Sequence, residues 1–357
     1  MTSRRAFLTS LIVAGALPRL TWADAGSPVL LAAGRDRDGN HWLHGLSREG
    51  ESRFSRRLPG RGHAAAAHPI RPEAVAFARR PGTFAVVIDC LSGAALAHLT
   101  PPAGRQFNGH GAFSADGGIL YTSEVIADGS DGRIGVWDAA AGYARIREWS
   151  SGGIGPHEIL RLPDGGLAVA NGGIETDPQD RSKLNIGTMR PNLTLLAADG
   201  SIREQVSLAP EYAMLSIRHL ALAPDGELAF AMQWEGDPAE IVPLLGLYRP
   251  GGKVRLCPAG EVEAFTMRGY AGSVAFSGPG DMVAITSPVG GAIMVFDLDG
   301  RPLATHGRPD ICGLAPAAHG FMATDGAGMV WACDNEGMRL LTRVEHAWDN
   351  HLVPVAT

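Results

Sequence analysis

Charge and sulfur are both scarce in this chain, and each shortage removes a class of protein. Charged residues make up 19% of the sequence. They never gather into a Lys/Arg cluster, so the electrostatic footprint of a nucleic-acid binder is missing. There are four cysteines, Cys90, Cys257, Cys312 and Cys333. None is spaced C-x-x-C, which excludes zinc ribbons, thioredoxin-like redox pairs and c-type haem attachment. An oxidising compartment would permit disulfides, but the spacing names no pair. After the first 25 residues no apolar run is long enough for a membrane-spanning helix. No segment there has a convincing helical period. The nucleophile elbow G-x-S-x-G, the Walker loop and H-E-x-x-H are also missing.

Glycine and proline are plentiful, at 47 and 24. They punctuate short β-branched and alternating runs such as TFAVVID, RIGVWD, NLTLLA, MVAIT and AIMVFD, which read as strands. One unit recurs: an inner strand, an Asp-Gly turn, a second strand, a third ending in Asp, a Gly turn and a fourth. HGAFSADGGILYTSEV followed by RIGVWDAAAGYARIREW is the clearest copy. Units of roughly 40–50 residues with four strands are the signature of a β-propeller. Starts near His63, His110, His157, His219, Ser273 and Gly313 give six units. The run 29–58 supplies three more strands and 348–355 a fourth, which make a seventh blade closed by both ends of the chain. The expected fold is all-β, a seven-bladed propeller of the WD40 or YVTN-like kind, as one domain over residues 26–357.

The unit places histidine at one recurring point. His63, His110 and His157 are spaced 47 apart and His219 follows 62 later; His351 falls at the same point of the closing strand. Equal positions in a closed repeat become equal positions around its axis. Five imidazoles there suit a transition metal, iron or copper, at the channel mouth. Glu124 and Glu158 are candidate carboxylate ligands. Loop polar residues Asn171, Glu175, Arg190, Arg218 and Gln233 are candidates to bind a ligand or to orient the imidazoles. Arg105 and Asn108 face the same question. Repeat ancestry accounts equally for the coincidence of position, as does hydrogen bonding between blades. Two other functions stay open. One is a metal-free scaffold docking a partner at the mouth. The other is an enzyme, either a metal oxidase or a hydrolase using Glu124 and Asn171 as propeller lactonases use their Glu/Asn metal set. The lactonase reading needs oxygen ligands, whereas this set is mainly nitrogen.

The N-terminus, MTSRRAFLTSLIVAGALPRLTWADA, carries Arg4-Arg5 before a short apolar stretch, Leu8 to Leu17, and an A-x-A site at Ala23–Ala25. It reads as a twin-arginine signal peptide over residues 1–25. The expected location is therefore the periplasm, with no transmembrane segment in the mature chain. Taking Arg4, Arg5, Arg19 and Asp24 from 31 basic and 37 acidic residues leaves a mature charge of about −8.

Several stretches resemble a bacterial family of twin-arginine-exported proteins known as domain of unknown function 1513. They are ARRPGTF, GHGAFSADG, GGIGPHE, ANGGIETDP, KLNIGTMRPNL, LSIRHL, YAGSVAFSG and CGLAP. Together they span nearly the whole mature chain. The chain departs from the family pattern at Gln106 and Asn108, where the family has His or aromatic residues. The resemblance implies a seven-bladed propeller. It also implies gene neighbours of imelysin type and di-haem oxidoreductases in iron-linked clusters, and hence a periplasmic role in iron acquisition with such a protein as partner.

Overall fold

Seven sheets of four antiparallel strands account for nearly all regular structure in the computed structural model, which describes residues 20–79, 82–180 and 182–355. Strands are numbered β1 (Leu30–Arg35) to β28 (Ala347–Pro354) in chain order. Six sheets each use four consecutive strands. The seventh runs β28-β1-β2-β3. There Leu30 pairs with Pro354 and Ala32 with Leu352, so one sheet holds both ends of the described chain. The protein is a seven-bladed β-propeller.

The sequence builds each blade in the same way. Second and third strands such as Leu167–Asn171 and Ala292–Asp297 are apolar up to their last residue and buried on both faces. Neighbouring sheets cover them on either side, so the alternation expected of a half-solvated strand is lost. Fourth strands such as Ile202–Ser207 lie on the rim and alternate. The single α-helix among the described residues, α1 (Glu261–Thr266), lies between two blades.

The inner strands are β4 (Gly62–Ala67), β8 (Arg105–Phe113), β12 (Pro156–Arg161), β16 (Leu215–Leu222), β20 (Ser273–Phe276), β24 (Ile311–Pro316) and β28. Six of the seven slip register against their neighbour at one level. The breaks lie between Gly62 and Ala65, Phe107 and Gly111, Pro156 and Ile159, Ile217 and His219, Ile311 and Leu314, and opposite Ala32–Gly34 in β28. Only β20 pairs without a break. A bulge bends a strand and re-aims a side chain. The histidines do not all open their strands: His63 and His157 stand second in theirs. His110, His219 and His351 sit well inside theirs, at the bulge.

Residues 20–27 form an ordered turn against the propeller. Trp22 Nε1 donates to the His68 carbonyl at 2.8 Å, and Trp22 and Ala25 are buried beside Leu31 and Phe54. The expected cleavage site at Ala23–Ala25 falls in this turn. Arg4, Arg5 and the apolar stretch lie outside the described residues.

Candidate metal centre

The bulges turn five imidazoles from five blades onto the axis. Neighbouring ring centroids are 5.0 Å apart for His63–His110, 4.6 Å for His110–His157, and 4.8 Å for both His157–His219 and His219–His351. His351–His63, at 4.5 Å, closes the circuit. Two blades contribute no imidazole. Their positions hold Ser273 and Gly313, and a Cβ on Gly313 would come within 2.4 Å of Thr324 Oγ1 and 3.0 Å of Leu352 Cγ. Small residues there let His219 and His351 meet. Cross-circuit distances are 4.9 Å for His110–His351, 5.6 Å for His63–His157 and 5.8 Å for His110–His219. In a flat, open pentagon these would far exceed the neighbour distances. The cluster is instead compact and fills the channel at this level, which is why all five are buried.

Two triads bring their ligand atoms within 4.8 Å of one another: His63, His110, His351 and His110, His157, His219. His110 belongs to both, and its Nε2 is buried with no hydrogen-bond partner among the described residues. His63 and His351 face each other Nε2 to Nε2 at 3.4 Å. Burial holds His110, His219 and His351 well below the ordinary imidazole pKa. The neighbouring histidines add to the effect, as does Arg218 for His110 and His219. These rings are neutral at pH 7, and a neutral imidazole has a lone pair to give a metal.

Two carboxylates stand behind the cluster. Glu158 Oε2 lies 3.3 Å from His219 Nδ1 and accepts from the Leu220 amide at 3.0 Å. Burial pushes its pKa up to about 7, although a quarter of the side chain stays open to the channel. Asp349, which the sequence pattern did not single out, has Oδ1 3.9 Å from His63 Nδ1 and accepts from Arg61 Nε at 2.7 Å. Its burial pushes the pKa up, but His63 and Arg61 outweigh that and hold it below the usual carboxylate range. Both contacts are made at Nδ1, which leaves Nε2 for the axis. Carboxylates paired this way fix the tautomer and orientation of ligating histidines. The one sequence signal for Asp349 was its position two residues before His351.

The remaining candidates lie elsewhere. Glu124 is fully buried in a second strand, where it takes Arg145 at 2.7 Å and the Thr122 hydroxyl at 2.6 Å. Asn171 bonds Ser151, Asn192 and Thr194. Gln233 reaches the Ala271 carbonyl. These three pair with the start of an inner strand, opposite Phe107, Pro156 and Ser216 respectively. They form a polar ring of their own, one strand out from the axis, and stitch loops and strands together. Glu124 is thus committed to contacts within its own sheet and Asn171 to its own sheet and the neighbouring blade, and neither belongs to a metal-holding group among the described residues. Glu175 is tied to Asn185 through its backbone, and Arg190 is exposed. Arg218 occupies the bulge beside His219. Arg105 forks onto Glu148 at 2.9 and 3.1 Å, and Asn108 donates to the Pro156 carbonyl. His68 caps a local turn by accepting from Ile70 and Arg71.

Below the cluster the channel widens into a chamber of about 410 Å³, lined by the inner strands beyond the histidines. His110, His219, His351 and Glu158 form its inner end.

A sequence family described as Protein of unknown function (DUF1513) matches residues 56–355. No curated protein was found to match by sequence. Among solved structures the chain is similar to Kuenenia stuttgartiensis hydrazine synthase (TM-score 0.60, 14% identity, 85% of this chain and 89% of that one). It is also similar to a chain of a mitotic checkpoint complex (TM-score 0.56, 12% identity, 79% and 77%). A chain of a nidogen/laminin complex resembles it as well (TM-score 0.50, 13% identity, 78% and 92%). At such identities these likenesses concern the fold alone.

Proposed function

This chain belongs to the DUF1513 family of proteins of unknown function, and we propose that it binds a transition metal ion, iron or copper, in the histidine cluster of its channel. The observation that carries the reading is His110, an imidazole common to both triads whose buried Nε2 has no hydrogen-bond partner among the described residues. Leaving a buried polar atom unmet costs about 1–3 kcal/mol, and a cation on the axis would recover it. A nitrogen-rich set with a carboxylate nearby suits iron or copper better than calcium or magnesium. The three triad imidazoles would be the ligands, with Glu158 adjoining. A metal bound there would supply Lewis acidity or a redox couple. The protein's own part is to keep the rings neutral, oriented and shielded from bulk water.

The leader motif and the family resemblance extend this reading to a periplasmic protein of metal handling. In that setting it would serve iron acquisition beside an imelysin-type iron protein or a di-haem oxidoreductase. The test is elemental analysis of protein purified from its periplasm without chelators or an affinity tag, alongside a His110→Ala/His157→Ala variant. Near-stoichiometric iron or copper that the variant loses supports the proposal. A metal-free protein refutes it.

A second reading, a docking scaffold, has one observation in its favour. Val262 and Phe265 of α1 are 76% and 65% exposed, and apolar side chains so placed mark contact surfaces. Val262→Asp/Phe265→Asp would abolish capture of a periplasmic partner if that surface is used.

A further inference from the structure

We infer that the axial chamber binds a small, uncharged, largely apolar molecule carrying one hydroxyl, a phenol or an alcohol, whose oxygen reaches the clustered histidines. This rests on the metal reading above and names the ligand class of the same site.

The chamber's inner end is built of imidazoles, one carboxyl group and the Ser273 hydroxyl. His110, His219 and His351 line it together with Glu158. His110 belongs to both triads, and each of the other two belongs to one, so a metal held by either triad presents a face to this space. Two residues beyond each of these side chains the strand returns to the same face. Those positions are Ala112, Leu160, Ala221 and Val353, all half-buried at the chamber wall. Two of the four are alanine, and their short side chains create the space next to the cluster. Apart from Arg161, Ser273 and Ser277 the rest of the wall is apolar, formed by residues such as Ala67, Leu222, Val274 and Leu314. At the far end Pro224, Gly278, Pro316 and Pro354 are exposed, so the chamber opens where the inner strands end.

Size and charge then select the ligand. Ligand pockets run to about 300–1,000 Å³, are mostly apolar and carry a few convergent polar groups. An apolar cavity of roughly 150 Å³ already takes benzene, so about 410 Å³ has room for one or two rings. The only charged lining residues are Glu158 at the inner end and Arg161. A carboxylate ligand would bring a full charge against a wall that is mostly apolar. A hydroxyl suits the inner end, because it can exchange a hydrogen bond with the Glu158 carboxyl group and still offer its oxygen to a metal. A strongly polar ligand would lose its hydration against alanine and leucine without compensation.

Cobalt(II) provides the readout, since its visible absorption reports both its own binding and a change of ligand. The full mature protein is loaded with cobalt(II) and titrated with 2-naphthol, with benzoate as the anionic counterpart. The expected result is a saturable shift of the cobalt bands by 2-naphthol, with benzoate at least tenfold weaker. Ala112→Phe/Ala221→Phe fills the chamber and should weaken 2-naphthol at least tenfold while leaving cobalt affinity within threefold. If the double variant does not fold, Ala221→Leu gives a smaller loss in the same direction. An unchanged spectrum, benzoate binding as tightly as 2-naphthol, or filled variants that bind 2-naphthol like the parent would overturn the inference while leaving the metal site standing. Failure of cobalt to bind at all would overturn the metal reading and this one with it.

Discussion

His110→Ala separates a metal centre from a decorative cluster, because the two triads share that residue. Structural zinc sites bind with roughly 10–16 kcal/mol across four ligands, so each ligand contributes about 3 kcal/mol, or about a hundredfold in affinity. His110→Ala takes a ligand from both triads and should weaken binding by about that factor. His63→Ala damages only one, leaving His110, His157 and His219 together, and should cost less than tenfold. With metal at a hundred times its Kd, the parent protein gains about 2.7 kcal/mol of stability. At the same concentration His110→Ala would keep about 0.4 kcal/mol and His63→Ala at least about 1.4 kcal/mol. For a chain of this size the difference between parent and His110→Ala amounts to a few degrees in Tm. Without metal, His110→Ala also removes a buried Nε2 that has no hydrogen-bond partner among the described residues. That gain offsets part of the lost packing, so the apo protein should stay within about 1–2 kcal/mol of the parent. The assay is thermal unfolding of all three proteins with and without iron(II) or copper(II), supported by direct titration. Equal loss in His63→Ala and His110→Ala, or full retention in His110→Ala, would refute the shared-ligand reasoning.

Three further outcomes are expected. Glu158→Gln keeps an oxygen acceptor for the Leu220 amide but replaces the ionisable carboxyl group facing His219 Nδ1, and metal affinity by titration should fall about 10–100-fold. The protein should lose stability in mild acid. Burial, reinforced by His346, depresses His44 from 6.5 to about 3, so below pH 6.5 the unfolded chain takes up the proton first, and by pH 5 this costs about 2 kcal/mol. Denaturant melts at pH 7 and pH 5 should therefore show a smaller acid loss in His44→Gln than in the parent, and equal losses would contradict the assignment. Finally, Cys90, Cys257, Cys312 and Cys333 are free and buried, and burial pushes each thiol up to about 12. A thiol-reactive dye should find none in the native protein and all four in denaturant. Fewer than four after non-reducing unfolding would mean a disulfide forms.

The sequence by itself determined the architecture and the address of the site. Blades repeat because each unit buries its faces only against copies of itself, so the strand and turn signals had to recur, and they were legible one by one. The same repetition made His63, His110, His157, His219 and His351 stand out, since five equal positions in a ring must approach a common axis. What the sequence could not determine is which polar residues at equal positions face that axis. Glu124, Asn171 and Gln233 also recur in register, but they sit one strand further out and are spent on holding loops and strands. Asp349, inconspicuous in the chain, backs His63 because Arg61, which immediately precedes the inner strand of the neighbouring blade 288 residues away, donates to it. The bulges decided the rest. A one-residue slip of register turns a side chain from one face of a strand to the other. That slip depends on how each inner strand meets its neighbour, and only the folded ring specifies it.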